Sequence, residues 1–228
     1  WELARGHPAP GYRDGTPFWF ELPRASHELL NPTDAFTEDR RLAVSVAGLP
    51  SPIEFWNSDV GRETIARWLA RQKRPITKHV LHDAFYQADW TKVRPATEFH
   101  TAHVVNILRF AAQELGVETS ALRFYDPCAG HGARLFGACV VGARYLACDP
   151  DKDLIEPHAA IARYFGAETL ARVMPIPAET VDSQTLAEFA PNLVFTSPPF
   201  FNYEQYALAD TSGQSTRNYS DYSAWKEK

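Results

Sequence analysis

The sequence predicts an α/β fold. A parallel sheet with right-handed crossovers is expected over residues 96–228, preceded by a mainly helical and irregular arm over residues 1–95. Three observations predict it. From Leu122 onward, short apolar runs alternate with helical patterns, giving strands at 122–126, 144–149, 172–176 and 192–196 and helices near 132–141, 151–166 and 182–190. The first strand runs into a glycine-rich turn, Asp126-Pro127-Cys128-Ala129-Gly130-His131-Gly132. The fourth runs into Thr196-Ser197-Pro198-Pro199-Phe200, where two prolines stop strand and helix alike.

Residues 1–58 are rich in Pro, Gly and aromatic residues without sustained periodicity, so they read as an irregular segment with short strands such as Leu42–Val46. Asp59 is the expected N-cap of a helix reaching about Lys73 and ended by Pro75. Ile65, Trp68 and Leu69 share one face of that helix, while Arg67, Arg71 and Arg74 lie off the seam. A second short helix is expected over Lys78–Gln87. After Pro95, Thr97 or Thr101 is placed to cap a helix to Leu115, with Val104, Val105, Leu108 and Ala112 as its buried stripe and Gly116 ending it.

The chain has 228 residues, 45% of them hydrophobic, enough for one sizeable core or two small ones. Cys128, Cys139 and Cys148 make no disulfide framework, which points to a reducing, cytoplasmic setting. No run approaches the roughly 20 apolar residues of a membrane helix, so no membrane association is expected. The first residue is Trp1 rather than Met, so the natural N-terminus is expected to lie upstream. Net charge is −5, which argues against a uniformly basic nucleic-acid binder. Residues 62–94 nevertheless carry eight Lys/Arg against three acids. That stripe is either a phosphate-binding surface or a solvated helix face.

Ala129, Gly130 and Gly132 are small enough to let a backbone approach a ligand closely and turn sharply. Asp149 ends the next strand, where an acid can accept both hydroxyls of a ribose, or can instead cap the helix that follows. Together these suit a nucleoside cofactor. In the Ser-Pro-Pro turn, the Ser197 hydroxyl and the Pro198 carbonyl can face the two N–H bonds of one amine. Pro199 stiffens the turn, and Phe200 can stack on the ring that carries the amine. The plain alternative is a rigid strand-end turn with a core Phe. His79/His82 and His100/His103 each have i, i+3 spacing but no Cys or acid cluster beside them, so no metal site is expected.

From Glu98 to Lys228 the chain resembles the bacterial and phage S-adenosylmethionine-dependent DNA amino-methyltransferases, in which Ser-Pro-Pro-Tyr/Phe is commonest among enzymes modifying cytosine N4. Their adenine-N6 counterparts more often carry Asp or Asn at the position of Ser197. The resemblance implies a Rossmann-like class I methyltransferase sheet, with Asp126, Ala129, Gly130, Gly132 and Asp149 at the cofactor. Phe99 and Thr101 match the family segment that lies along the cofactor. Glu179 falls where such enzymes contact adenine, though it can equally cap a helix. Cys128 and His131 stand where the family often has bulkier residues. The stretch Gln214-Ser215 through Tyr219, Tyr222 and Trp225 also resembles the family. Residues 1–95 match no part of it. A sheet of this family usually has seven strands, so roughly 90 further residues or a partner chain are expected to complete it, at about 30 residues for each further β-α unit.

The expected function is therefore methyl transfer from S-adenosylmethionine to an exocyclic amine, most plausibly cytosine N4 or adenine N6 in DNA, with S-adenosylhomocysteine as the product. Asn202 and Tyr203, with Tyr206, are expected either to line the target pocket or to pack on the arm. Arg67, Arg71 and Arg74 are the expected phosphate contacts. Two other readings stand beside this one. The first is the same chemistry on an amine of a small molecule, peptide or RNA. The second is a non-catalytic cofactor-binding subunit.

Overall fold

A computed structural model describes residues 7–13, 16–22, 32–73, 75–87, 89, 91–199, 201, 203–206 and 219–227. In chain order the elements begin with β1 (His7–Arg13), β2 (Thr16–Leu22), α1 (Asp34–Leu42), β3 (Ser45–Val46), α2 (Pro52–Asn57), α3 (Asp59–Ala70) and α4 (Lys78–Gln87). Then come α5 (Thr101–Leu115), β4 (Arg123–Asp126), α6 (Ala133–Val141), β5 (Arg144–Cys148), α7 (Ile155–Tyr164) and β6 (Ala171–Met174). The chain continues through α8 (Ser183–Phe189), β7 (Leu193–Val194), β8 (Glu204–Gln205) and α9 (Tyr222–Lys226). Two compact units interleave along the chain. One comprises 1–36, 98–150 and 154–197; the other comprises 37–97, 151–153 and 198–228.

The first unit is the predicted α/β body. Its four-stranded sheet has the order β6-β5-β4-β7, and every pairing is parallel. That is the 3-2-1-4 order of doubly wound nucleotide-binding folds. The chain leaves β4 in one direction through β5 and β6, then returns to the other side of β4 as β7. The reversal makes the crevice beyond the carboxyl ends of β4 and β7 the topological switch point, where such sheets bind ligands. Both motif turns leave the sheet at those two ends.

The core of this unit gathers Val104, Leu108 and Ala112 of α5 with Phe124, Leu135, Ala138, Tyr145 and Ile161. The predicted α5 stripe is thus the buried face, and Gly116 ends the helix with its N–H donating to the Ala112 and Gln113 carbonyls. His100, rather than Thr97 or Thr101, is the N-cap: its Nδ1 accepts from the Ala102 N–H at 3.3 Å. Gly137, in the middle of α6, has a packing reason. A Cβ there would lie 2.5 Å from Cγ1 of Val104, so only glycine lets α6 close on α5.

In the second unit α1 and α2 replace the irregular segment expected over residues 37–58. α2 opens with a capping box, in which the Glu54 N–H donates to Ser51 Oγ and the Ser51 N–H donates to the Glu54 carboxylate. Ser58, not Asp59, caps α3, accepting from the Gly61 N–H at 3.0 Å. α3 ends at Ala70, and Lys78–Gln87 is helical as predicted. Arg40 of α1 pairs with Asp153 at 2.7 Å and Asp151 at 3.5 Å, binding that short segment into this unit.

Gly137→Ala should cost stability although alanine favours a helix by about 1 kcal/mol. Overpacking of a close helix contact typically costs 1–3 kcal/mol, so a net loss of about 1–2 kcal/mol is expected in urea unfolding. Combining it with Val104→Ala should show a favourable coupling, because the second change empties the space the new methyl needs.

Candidate active site

The site is built around one carboxylate. Asp126, the last residue of β4, is wholly buried and both its oxygens accept hydrogen bonds. Oδ1 takes the Cys128 N–H at 3.2 Å and the Thr196 hydroxyl at 2.7 Å. Oδ2 takes Nε of Arg134 and the Tyr145 hydroxyl, each at 2.7 Å. Burial first, then the charge of Asp126, holds the Tyr145 phenol well above its usual range, so it donates. Arg134 also donates through Nη2 to the Cys128 carbonyl. These donors come from the turn itself, from α6, from β5 and from the second residue past β7. One side chain therefore ties the glycine turn to the Ser-Pro-Pro turn, 70 residues apart.

Asp126 consequently holds the turn and has no capacity left for a ligand, which corrects its assignment as a cofactor contact. Ala129 is likewise buried in the core, its N–H spent on the Cys148 carbonyl at 2.8 Å. Gly132 takes the sharp turn expected of it, at φ +95°, and its missing Cβ also makes room for Ile161, whose Cδ1 would lie 2.8 Å away. Gly130 (φ +57°) does face open space, since a Cβ there would meet only Arg134 Nη2, at 4.0 Å.

The Gly130 peptide is clamped on both sides. Its N–H donates to Oδ2 of Asp149 at 2.7 Å, and its carbonyl accepts from Nε2 of His158 at 2.8 Å. His158 lies on α7 and is buried. Burial pushes it down to about 4, so at neutral pH it is uncharged, with its proton on Nε2. Asp149, half-buried at the end of β5, thus braces the turn from the position where a ribose would be met. No side chain caps α6 at Gly132, leaving that helix start without a competing acceptor.

Phe99 packs edge-on against Phe195 with centroids 5.4 Å apart, which brings the start of α5 beside the end of β7. Thr101 follows as a buried first residue of α5. Ser197 is exposed at the close of the first unit. Pro198 and Pro199 begin the next segment of the second unit, the first exposed and the second partly buried. Glu179 sits exposed in a one-turn helix, Ala178–Thr180. Phe200, Asn202 and Arg74 lie outside the described residues. Arg67 on α3 and Arg71 at its C-cap are exposed, and Arg67 pairs with Glu63 at 3.7 Å. Tyr203 has an exposed side chain, while Tyr206 packs on the arm against Val44, Val46 and Ala96.

Burial, with Asp126 and Asp149 adding to it, pushes the Cys128 thiol up to about 12. It is protonated at neutral pH and offers no thiolate nucleophile. The turn can therefore position groups but does not supply covalent catalysis through sulfur.

No protein-family model matches the chain, and no curated protein matches it. A search of solved structures finds the METTL16 MTase domain (crystal form 2), at 18% sequence identity and a TM-score of 0.36. The match covers 53% of this chain and 52% of that one, so it spans about half of the structure it matches.

The His158 clamp predicts an acid-labile turn. An imidazole that binds its proton near pH 4 when folded and near 6.5 when unfolded favours the unfolded state on acidification. Its contribution is complete above pH 6.5 and is lost as pH falls towards 4. The difference of 2.5 units, at 1.36 kcal/mol each, amounts to about 3 kcal/mol. Urea unfolding at pH 7.5 and pH 4.5 should show this loss in the unaltered protein. His158→Gln, which keeps an N–H donor and cannot charge, should show a smaller loss by most of that amount.

Proposed function

We propose that the protein transfers a methyl group from S-adenosylmethionine to an exocyclic amine, cytosine N4 or adenine N6 of DNA. The single observation that carries this reading is the shared Asp126 carboxylate. Through Thr196 and the Cys128 N–H, it fixes a glycine turn suited to a nucleoside beside the residue that precedes Ser197. The residues present fit the cofactor. The space over Gly130 is open, the start of α6 carries no side-chain cap, and Asp149 ends β5 where ribose hydroxyls are accepted. Bound there, S-adenosylmethionine supplies an electrophilic methyl group.

The chain's own part is orientation. The Ser197 hydroxyl accepts one N–H of the amine and the Pro198 carbonyl accepts the other. Holding both hydrogens turns the nitrogen lone pair towards the methyl group, a gain that comes from geometry and not from a strong base. Phe200 is assigned to stacking on the base. In duplex DNA the target must be flipped out of the helix to reach Ser197. Phe99 and Thr101 are assigned to the methionine side of the cofactor and Glu179 to the adenine.

A second reading, an amine on a small molecule or peptide, is favoured by the pairing within the basic stripe. Arg62 with Asp59, Arg67 with Glu63 and Lys92 with Asp89 each offset a positive charge that a phosphate would need. Salt dependence separates the two. If the stripe meets phosphates, Arg67→Gln with Arg71→Gln should weaken oligonucleotide binding for all sequences and make its salt slope shallower by about 2. An unchanged slope assigns the stripe to solvent.

Labelled S-adenosylmethionine offered with DNA, RNA and small amines should mark a nucleic-acid amine. Ser197→Ala should lower the transfer rate by about 100-fold or more while cofactor affinity holds. Asp149→Ala should weaken cofactor binding by roughly 1.5–3 kcal/mol, the size of a lost hydrogen bond to a charged group. Cofactor binding without transfer to any acceptor would instead mark a non-catalytic subunit, and equal cofactor affinity in a folded Asp149→Ala protein would refute the ribose assignment.

A further inference from the structure

We infer that the Ser45–Gly48 turn of the arm is the positioning element for the acceptor loop that follows Ser197, with the backbone N–H of Ala47 as its central contact. The inference rests on the methyltransferase reading above and concerns residues 203–206, which that reading leaves without a support.

All the contacts lie within the second unit. β3 and β8 form a two-residue antiparallel ladder, Ser45 opposite Gln205 and Val46 opposite Glu204. The ladder is extended by one bond beyond its end, from the Ala47 N–H to the Tyr203 carbonyl at 2.7 Å. Ala47 makes that bond at φ +56°, a left-handed conformation that L residues other than glycine rarely adopt. The Leu49 N–H then closes the turn onto the Val46 carbonyl at 3.0 Å.

Side chains secure the same segment. Tyr206 packs its ring with Val44, Val46 and Ala96, and its hydroxyl donates to Glu204 Oε2 at 2.6 Å. Glu204 is itself buried. The loop backbone is thereby fixed at Tyr203, Glu204 and Gln205, and Tyr206 is withdrawn into the arm. Tyr203 is left with its side chain 44% exposed. Two residues before it, Phe201 also takes a left-handed backbone (φ +38°), with its ring against Tyr222 and Trp225. A left-handed non-glycine residue on each strand's flank is the pattern of a loop held in one conformation by its surroundings. Amine alignment needs such fixity, because displacement of about 1 Å can cost 100-fold in rate. The arm therefore contributes to acceptor placement and not to cofactor binding.

The test separates placement from folding and from the underlying reading. Ala47→Pro removes the N–H and the left-handed φ together, Ala47→Gly keeps both, and Tyr206→Phe removes only the hydroxyl on Glu204. With folding checked by circular dichroism, Ala47→Pro should lower kcat/KM for the acceptor at least tenfold while S-adenosylmethionine affinity by calorimetry stays within twofold. Ala47→Gly should keep the unaltered protein's rate, and Tyr206→Phe should lower kcat/KM severalfold with the same cofactor affinity. If Ala47→Pro does not fold, Tyr206→Phe decides. Undiminished transfer in the folded variants, or a parallel loss of cofactor affinity, overturns this inference alone. Absence of transfer by the unaltered protein overturns it together with the methyltransferase reading.

Discussion

Everything in the α/β unit that bears on chemistry is oriented by the buried carboxylate of Asp126. It sits at the carboxyl end of the central strand β4 and accepts from groups carried by β5, by α6, by its own turn and by Thr196, two residues past β7. A carboxylate has about four lone-pair directions, and here each is met by a donor. The glycine turn cannot shift without breaking the Cys128 bond, nor can the Ser-Pro-Pro turn without breaking the Thr196 bond. The parallel order of the sheet makes this economical. Only at a switch point do two neighbouring strands end in turns that face one crevice.

A second layer of constraint acts on the cofactor side alone. Asp149 and His158 grip opposite faces of the Gly130 peptide, so the piece of backbone open to a ligand is the piece most tightly held. His158 serves because it is neutral: a charged imidazole could still donate, but burial makes the charge costly. Cys128, protonated beside it in the turn, adds volume without reactivity.

The sheet and its helices were legible because short apolar runs and intervening helical patterns are local signals. β4, β5 and β6 fall within a residue or two of expectation. β7 is shorter than predicted: the ladder holds only Leu193 and Val194, while Phe195 packs on Phe99 and Phe124 and Thr196 turns to Asp126. The holding role of Asp126 was not legible because it depends on partners scattered along the chain, Arg134, Tyr145 and Thr196, and the packing of Ile161 over Gly132 was hidden for the same reason. Arg134 did leave a trace, as the lone charge in the otherwise apolar run Ala133–Val141. His158 left none. In the arm, Ser51-Pro52-Ile53-Glu54 carries a readable capping box, which signals a helix where composition suggested irregular chain, while Ser58 caps the helix expected to begin at Asp59.

The energetics of the Asp126–Arg134 pair show why such a cluster belongs at a site. Both partners are removed from water, with side-chain exposures of 0% and 7%. Desolvation of two charges roughly cancels their attraction, so an apolar pair of the same volume would often give equal or greater stability. Stability therefore does not account for the pair. Leucine in place of Asp126 would fill the space and satisfy none of the four donors, leaving the Thr196 hydroxyl and the Cys128 N–H free to choose other directions. Loss of one partner alone is worse, because the other stays buried and uncompensated at a cost of about 3–5 kcal/mol. The cluster holds one arrangement by making every partial alternative expensive. Its net contribution is direction, given to the Cys128 N–H in the glycine turn and to the Thr196 hydroxyl beyond β7.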